Sequence, residues 1–346
     1  MERIEIAYEA PGTAFVTEEA FYFFNDPVWV TKRRMQRIIR VPDVIPSLEA
    51  AVRLARPWDV IFIRGNSHES IKIRGKDTLE IRGGWVTGVV VENCRAIQIR
   101  DVSVDGRETN RHGIYLGGSN ADIVIRDCLV TGCSKGSSGL YIEGQNSNVA
   151  MVNGQVFSNG GNGITFETSD SGRYYVVNST ICDNGGAGVR IADGGSEIYV
   201  INSILSFNGT RAGATARQGI VGSERSPEKT RMISNLIVGN QGESSPNGSS
   251  DIGGISEILD SSDSGNMTGS GTEGTGVSQS PSSDRASIFD ERFLTYHLTA
   301  GSPARNRGIA QFIGPDGMVV PLYDNEGDER RRRTDPVSIG AYEYWR

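Results

Sequence analysis

The chain has 346 residues, a net charge of −7 and a pI near 5.2, which argues against nonspecific binding to nucleic acid or to an anionic membrane surface. Hydrophobic residues make up 37% and charged residues 22%, a globular rather than a disordered composition. Forty-four glycines mark a chain that turns often and makes poor helix, so a mainly β fold is expected.

Residues 1–40 hold aromatics (Phe21, Tyr22, Phe23, Phe24, Trp29) and the basic run Lys32, Arg33, Arg34, and are expected to form an N-terminal covering segment. The opening residues show no signal-peptide core, and no apolar run approaches the roughly 18–20 residues of a spanning helix, so no membrane insertion is expected. Next, Ser47 stands as N-cap to good helix formers with an apolar face, which predicts a short helix near 46–55. Such a helix can cover the open end of a solenoid. Val60-Ile-Phe-Ile, Ser70-Ile-Lys-Ile, Leu79-Glu-Ile and Ala96-Ile-Gln-Ile then read as strands.

From residue 113 a repeat takes over. Gly-Ile-Tyr-Leu at Gly113 returns as Gly-Leu-Tyr-Ile at Gly139, Gly-Ile-Thr-Phe at Gly163 and Gly-Val-Arg-Ile at Gly188, at spacings of 26, 24 and 25. A second mark, an apolar strand ending in Asp or Asn, runs in phase over residues 123–127, 149–153, 174–178 and 198–202. A third follows six residues later at Asn159, Asn184 and Asn208, each before a Gly, with Cys133 in the equivalent place one coil earlier. Each period reads strand, turn, strand, turn, with no stretch fit for an amphipathic helix and no leucine-rich pattern. The expected fold is an all-β, right-handed parallel β-helix over residues 41–240. Stacking at about 4.8 Å per coil would make Asn153, Asn178 and Asn202 an inward amide ladder.

Residues 241–287 are rich in Gly and Ser and read as a loop or insert. Residues 288–346 are expected to form a closing segment of the same domain, ending in a strand-like stretch from Ile339. The arginines at 330–333, flanked by Asp328, Glu329 and Asp335, read as a solvated, compensated loop. The four cysteines, Cys94, Cys128, Cys133 and Cys182, fit no metal spacing and are read as buried thiols.

The stretch Arg40-Val-Pro-Asp-Val-Ile-Pro-Ser-Leu-Glu-Ala-Ala-Val-Arg-Leu-Ala-Arg-Pro-Trp-Asp-Val-Ile-Phe-Ile-Arg-Gly resembles the opening of β-helix proteins of the pectate-lyase-like superfamily. The end, from His297-Leu-Thr-Ala-Gly-Ser-Pro to Asp335-Pro-Val-Ser-Ile-Gly-Ala-Tyr-Glu-Tyr, is similar to the closing segment of bacterial secreted β-helix proteins. The resemblance implies a polysaccharide partner and an extracellular or cell-surface setting. It leaves lyase, hydrolase, epimerase and binding functions open.

In the Gly-initiated strands the outward positions are Tyr115, Tyr141, Thr165 and Arg190, and two residues further on Gly117, Glu143, Glu167 and Ala192. With His112 just before Gly113, they define a candidate catalytic patch of His112, Tyr141, Glu143, Glu167 and Arg190. Tyr115, Lys135, Asp170 and Asp193 are candidates for substrate binding. Glu143 and Glu167 should stand about 5 Å apart, where like charges raise one pKa, a separation that suits a retaining glycosidase. Alternatively the two glutamates hold Ca²⁺ against a uronate carboxylate while a Tyr, Lys or Arg acts as base, or Arg190 binds that carboxylate directly. A surface ion network with no chemistry fits the same column. Tyr115 with Tyr141 is either a sugar-stacking platform or a structural pair, and Tyr175 with Tyr199 reads as structural. Arg100 and Arg126, one coil apart and each followed by Asp, are expected to pair with those carboxylates. An enzyme that cleaves or epimerises a polysaccharide, and a noncatalytic glycan-binding, adhesin or tailspike-like solenoid, both remain open.

Overall fold

A computed structural model describes residues 37–108, 111–168, 172–192, 196–209, 219–222, 229–240, 252–253, 266–268, 277–279, 285–290, 296–309, 324 and 337–342. Short strands stack coil upon coil in parallel ladders that form three faces. Face C contains Ser70–Arg74, Gly88–Glu92, Ile114–Gly117, Ile164–Thr168 and Val189–Ile191. Face A includes Asp77–Arg82, Arg95–Arg100, Ser119–Arg126, Arg173–Val177 and Glu197–Ile201. Face B includes Ser103–Asp105, Leu129–Thr131, Gln155–Phe157, Thr180–Cys182 and Ile204–Ser206. The chain visits C, then A, then B in each coil, and one strand, Leu140–Val152, bends from C into A without a break.

Alternation inside each strand produces the core. On face C the inward column Ile114, Leu140, Ile164 and Val189 runs beside Leu116, Ile142, Phe166 and Ile191, all buried. Each such side chain stabilises the fold by about 1.5–3 kcal/mol relative to exposure. At the N-terminal end lies helix α1 (Leu48–Leu54), where Ser47 Oγ accepts from Ala50 N at 3.2 Å and Glu69 accepts from Leu48 N at 3.0 Å. Leu48, Ala51 and Val52 enter the core cluster. Nearly all of the 1–40 segment, most of 241–287, and Asp170, Asp193 and the 330–333 run lie outside the described residues.

The inward amide ladder differs from the expectation by one turn mark. Asp101, Asp127, Asn153, Asn178 and Asn202 all adopt left-handed backbone, φ between 47° and 55°, which Asn and Asp tolerate best after Gly. That kink turns their side chains away from the core, and the next residue points in: Ser179 Oγ accepts from Gly154 N, and Ser203 Oγ from Ser179 N. Asn153 still donates to Asp127 at 2.9 Å and Asn202 to Asn178 at 3.4 Å, from coil to coil as expected, but the continuous inward ladder is the third mark. Asn159 donates to Asn184 at 3.0 Å, Asn184 to Asn208 at 2.9 Å and Asn208 to Asn240 at 3.0 Å. These amides also satisfy turn carbonyls at Val130, Val156, Ile181 and Leu205.

The described parts of the C-terminal segment lie alongside the coils. Ile288, Phe289, Tyr296, Leu298, Ala304 and Ile339 pack on Cys182, Ile204, Leu236 and Val238 of face B. Asn202, on the seam of faces A and B, exchanges two 2.8 Å hydrogen bonds with the Ile309 backbone. Asp183 accepts from Arg285 and from the Tyr296 hydroxyl. The outer side of face A is itself apolar and buried, with Val152, Tyr175, Val177, Tyr199 and Ile201 in one cluster that Ile309 joins. All four cysteines are buried and free. Among the described residues no helix is long and apolar enough to cross a membrane.

Candidate functional site

Face C carries the polar patch. Strand register sets Tyr115 beside Tyr141, Thr165 beside Tyr141 and Arg190 beside Thr165. The neighbouring column runs Arg74, Glu92, Gly117, and Glu143 lies beside Glu167. The two glutamates therefore stand one coil step apart, about 4.8 Å along the axis.

Each glutamate is held by a tyrosine from the preceding coil: the Tyr115 hydroxyl donates to Glu143 Oε1, and the Tyr141 hydroxyl to Glu167 Oε2. Gly117 makes the first pairing possible. A Cβ there would lie 2.5 Å from the Tyr115 ring, so any side chain would push the ring off Glu143. His112 stacks on Tyr141 with ring centroids 4.0 Å apart and planes at 17°, while Tyr115 and Tyr141 are parallel at 6.2 Å. Ser138 N donates to His112 Nδ1 at 2.9 Å. Gly117 and Ser138 are contributions that the repeat pattern did not single out; the signal was a glycine in an otherwise acidic column.

These contacts assign protonation. Burial first, then the carboxylate it serves, pushes Tyr115 up to about 12 and Tyr141 further up. Both hydroxyls keep their protons near neutral pH, so neither is the base expected for a tyrosine-driven elimination. His112 is lowered by burial against the opposing pull of Glu143 and Glu167. It is neutral near pH 7, and with Nδ1 accepting from Ser138 its proton sits on Nε2, making it a donor toward the face. Each carboxylate thus has one oxygen fixed by a tyrosine, and the other can meet a ligand.

The remaining candidates sort by position. Arg190 is half-buried, its charge bears on Tyr141, and it makes no hydrogen bond or ion pair among the described residues. Thr165 is buried, held by Ser138 at 2.8 Å and Asn162 at 3.0 Å. Lys135 is exposed in the turn before face C, without a contact to the glutamates. For the alternative Ca²⁺ role, Glu143 and Glu167 would offer one free oxygen each of the six to eight that calcium takes, and the described residues contain no cluster of three or more His, Cys, Asp or Glu able to hold a metal. On face A, Arg82, Arg100 and Arg126 alternate with Asp101 and Asp127 at 2.9–3.6 Å, the pairing expected of stacked arginines.

A solenoid of parallel coils whose polar face is exposed among the described residues defines the class. Residues 59–227 match the family model described as right handed beta helix region. Its fold is a right-handed parallel β-helix. No curated protein matches its sequence. Among solved structures, the crystal structure of pectate lyase Pel9A aligns at 12% identity over 86% of this chain and 90% of that one, with a TM-score of 0.48.

Proposed function

We propose that the protein is a carbohydrate-active β-helix that cleaves a polysaccharide lying along face C, with Glu143 and Glu167 as its carboxylate pair, one the nucleophile and the other the acid/base. The observation that carries this reading is the pair of stacked Tyr–Glu hydrogen bonds, Tyr115 to Glu143 and Tyr141 to Glu167. Carboxylates about 5 Å apart suit glycosidic bond cleavage through paired acids. The stacked rings of His112, Tyr141 and Tyr115 line the face beside the glutamates as apolar surface for a pyranose, with His112 Nε2–H as a hydrogen-bond donor. Two tyrosines held as donors favour carboxylate chemistry over elimination by a tyrosine base. Arg190 supplies the positive end of the face, where an acidic sugar substituent would be met. The implied setting is extracellular, where such polymers are found.

One specific observation favours a second reading, glycan binding without cleavage: the stacked rings form a rigid platform whether or not the glutamates react. A panel of neutral and acidic polysaccharides, scored for reducing ends and for the ultraviolet absorbance of unsaturated uronates, separates the two. Cleavage is expected to release reducing ends, and Glu167→Gln to slow release by about 10²–10⁴-fold with folding unchanged. Binding without product would select the platform, and unsaturated products would select elimination. Full activity in Glu167→Gln would move the site elsewhere.

A further inference from the structure

Beside the glutamate column the turns between faces C and A form an open groove of about 540 Å³. One rim is the row Asn93, Ser119 and Gln145, and the other includes Asp77, Arg95 and Ser147. Gln145 is two residues beyond Glu143 on the same strand. The corner between them is Gly144, stacked on Gly118, with φ of +83° and +74°. A Cβ on Gly144 would lie 2.6 Å from Gly118 O, so the corner carries no side chain and the face opens directly into the groove.

The chemistry of the lining selects a ligand class. The floor amides are committed, Asn120 to Asn146 at 2.7 Å and Asn146 to Glu143 O at 2.7 Å. The cations are committed too: Lys76 Nζ donates to Ala55 O at 2.8 Å, and Arg95 pairs with Asp122 at 3.4 Å. The one acid of the lining, Asp77, accepts from the Thr78 hydroxyl at 2.9 Å and adds no positive charge for an anion, and the side chains of Ser119, Gln145 and Ser147 are neutral, exposed and have no partner among the described residues. Their rows repeat at the coil spacing of about 4.8 Å, close to the length of one pyranose unit in an extended glycan. The geometry points to this groove as a subsite for an uncharged stretch of polysaccharide continuing from the glutamate pair. It deepens the cleavage reading and rests on it.

The test is calorimetric titration of Glu167→Gln protein with short and long gluco-, xylo-, manno- and chito-oligosaccharides and with oligogalacturonides. The same titrations are repeated after adding Ser119→Ala and Gln145→Ala. A neutral series is expected to bind more tightly as it lengthens, and the double substitution to weaken long chains about tenfold while sparing short ones. Unchanged long-chain affinity in the double variant would overturn the groove, as would tighter binding of oligogalacturonides or no binding by any neutral series. Product release by the wild type is scored separately. Length-dependent, Gln145-dependent binding without product would sink only cleavage, and product with no groove effect would sink only the groove.

Discussion

The molecule carries two ladders of stacked tyrosines on the outside of its coils, and they meet opposite fates. Tyr175 and Tyr199 on face A stack at 4.9 Å and are buried, within the apolar cluster that Ile309 joins. Tyr115 and Tyr141 on face C stack more loosely at 6.2 Å, stay half-exposed and tie their hydroxyls to glutamates. The same repeat geometry thus makes an adhesive surface on one side and a ligand surface on the other. The C-terminal segment packs on face B and the seam with face A, while the face C patch keeps Glu167 in solvent. An outward column is a site candidate only where nothing packs on it.

The largest contrast should come from truncating one tyrosine of each ladder. Tyr199→Ala is expected to cost about 3–5 kcal/mol, as large buried side chains do, and Tyr141→Ala under about 1 kcal/mol, both read by denaturant unfolding. Equal losses would mean that the two faces are not differently covered. Next in size, Gly117→Ala should displace the Tyr115 ring and lower cleavage by about 10²-fold, the penalty typical of a misplaced group, with unfolding nearly unchanged. Wild-type rates in that variant would detach Tyr115 from the chemistry.

The third contrast is in pH. Glu80 lies in the column of Tyr175 and Tyr199 on face A and is raised from 4.5 to about 7, chiefly by burial, with Arg82 and Arg100 opposing. The folded state holds its proton more tightly than the unfolded chain, so this stabilisation is full below pH 4.5 and is lost as pH rises through about 7. His112 on the open face acts in the other sense. With its folded pKa lowered below 6.5, its stabilisation is full above 6.5 and is lost as pH falls through the folded value. Glu80→Gln is therefore expected to remove the decline between about pH 4.5 and 7 in a series of thermal midpoints, leaving the His112 slope. An unchanged series would show that Glu80 is not buried as described.

Much of this was legible in the sequence because a coil converts spacing into neighbourhood. The 26- and 24-residue steps through Gly113, Gly139 and Gly163 place Tyr115 beside Tyr141 and Glu143 beside Glu167, as the strand register has them. The coil-to-coil bonds of Asn153 and Asn202 were legible, but their inward direction was not, because a left-handed residue reverses the inside–outside alternation and strand periodicity does not carry through such a turn. The tyrosine–glutamate pairing was not legible either, since it depends on a ring leaning over Gly117 into the next coil. Nor did any local pattern say which outward columns are covered, because residues 285–290, 296–309 and 337–342 reach them from far along the chain.

The most direct test of the central claim is a crystal structure of Glu167→Gln with a bound oligosaccharide from the panel. The expected result is a sugar over the Tyr115 and Tyr141 rings, with a glycosidic oxygen within about 3 Å of the Glu143 carboxylate or of the amide introduced at position 167. A sugar bound on another face, with nothing near that pair, would contradict it.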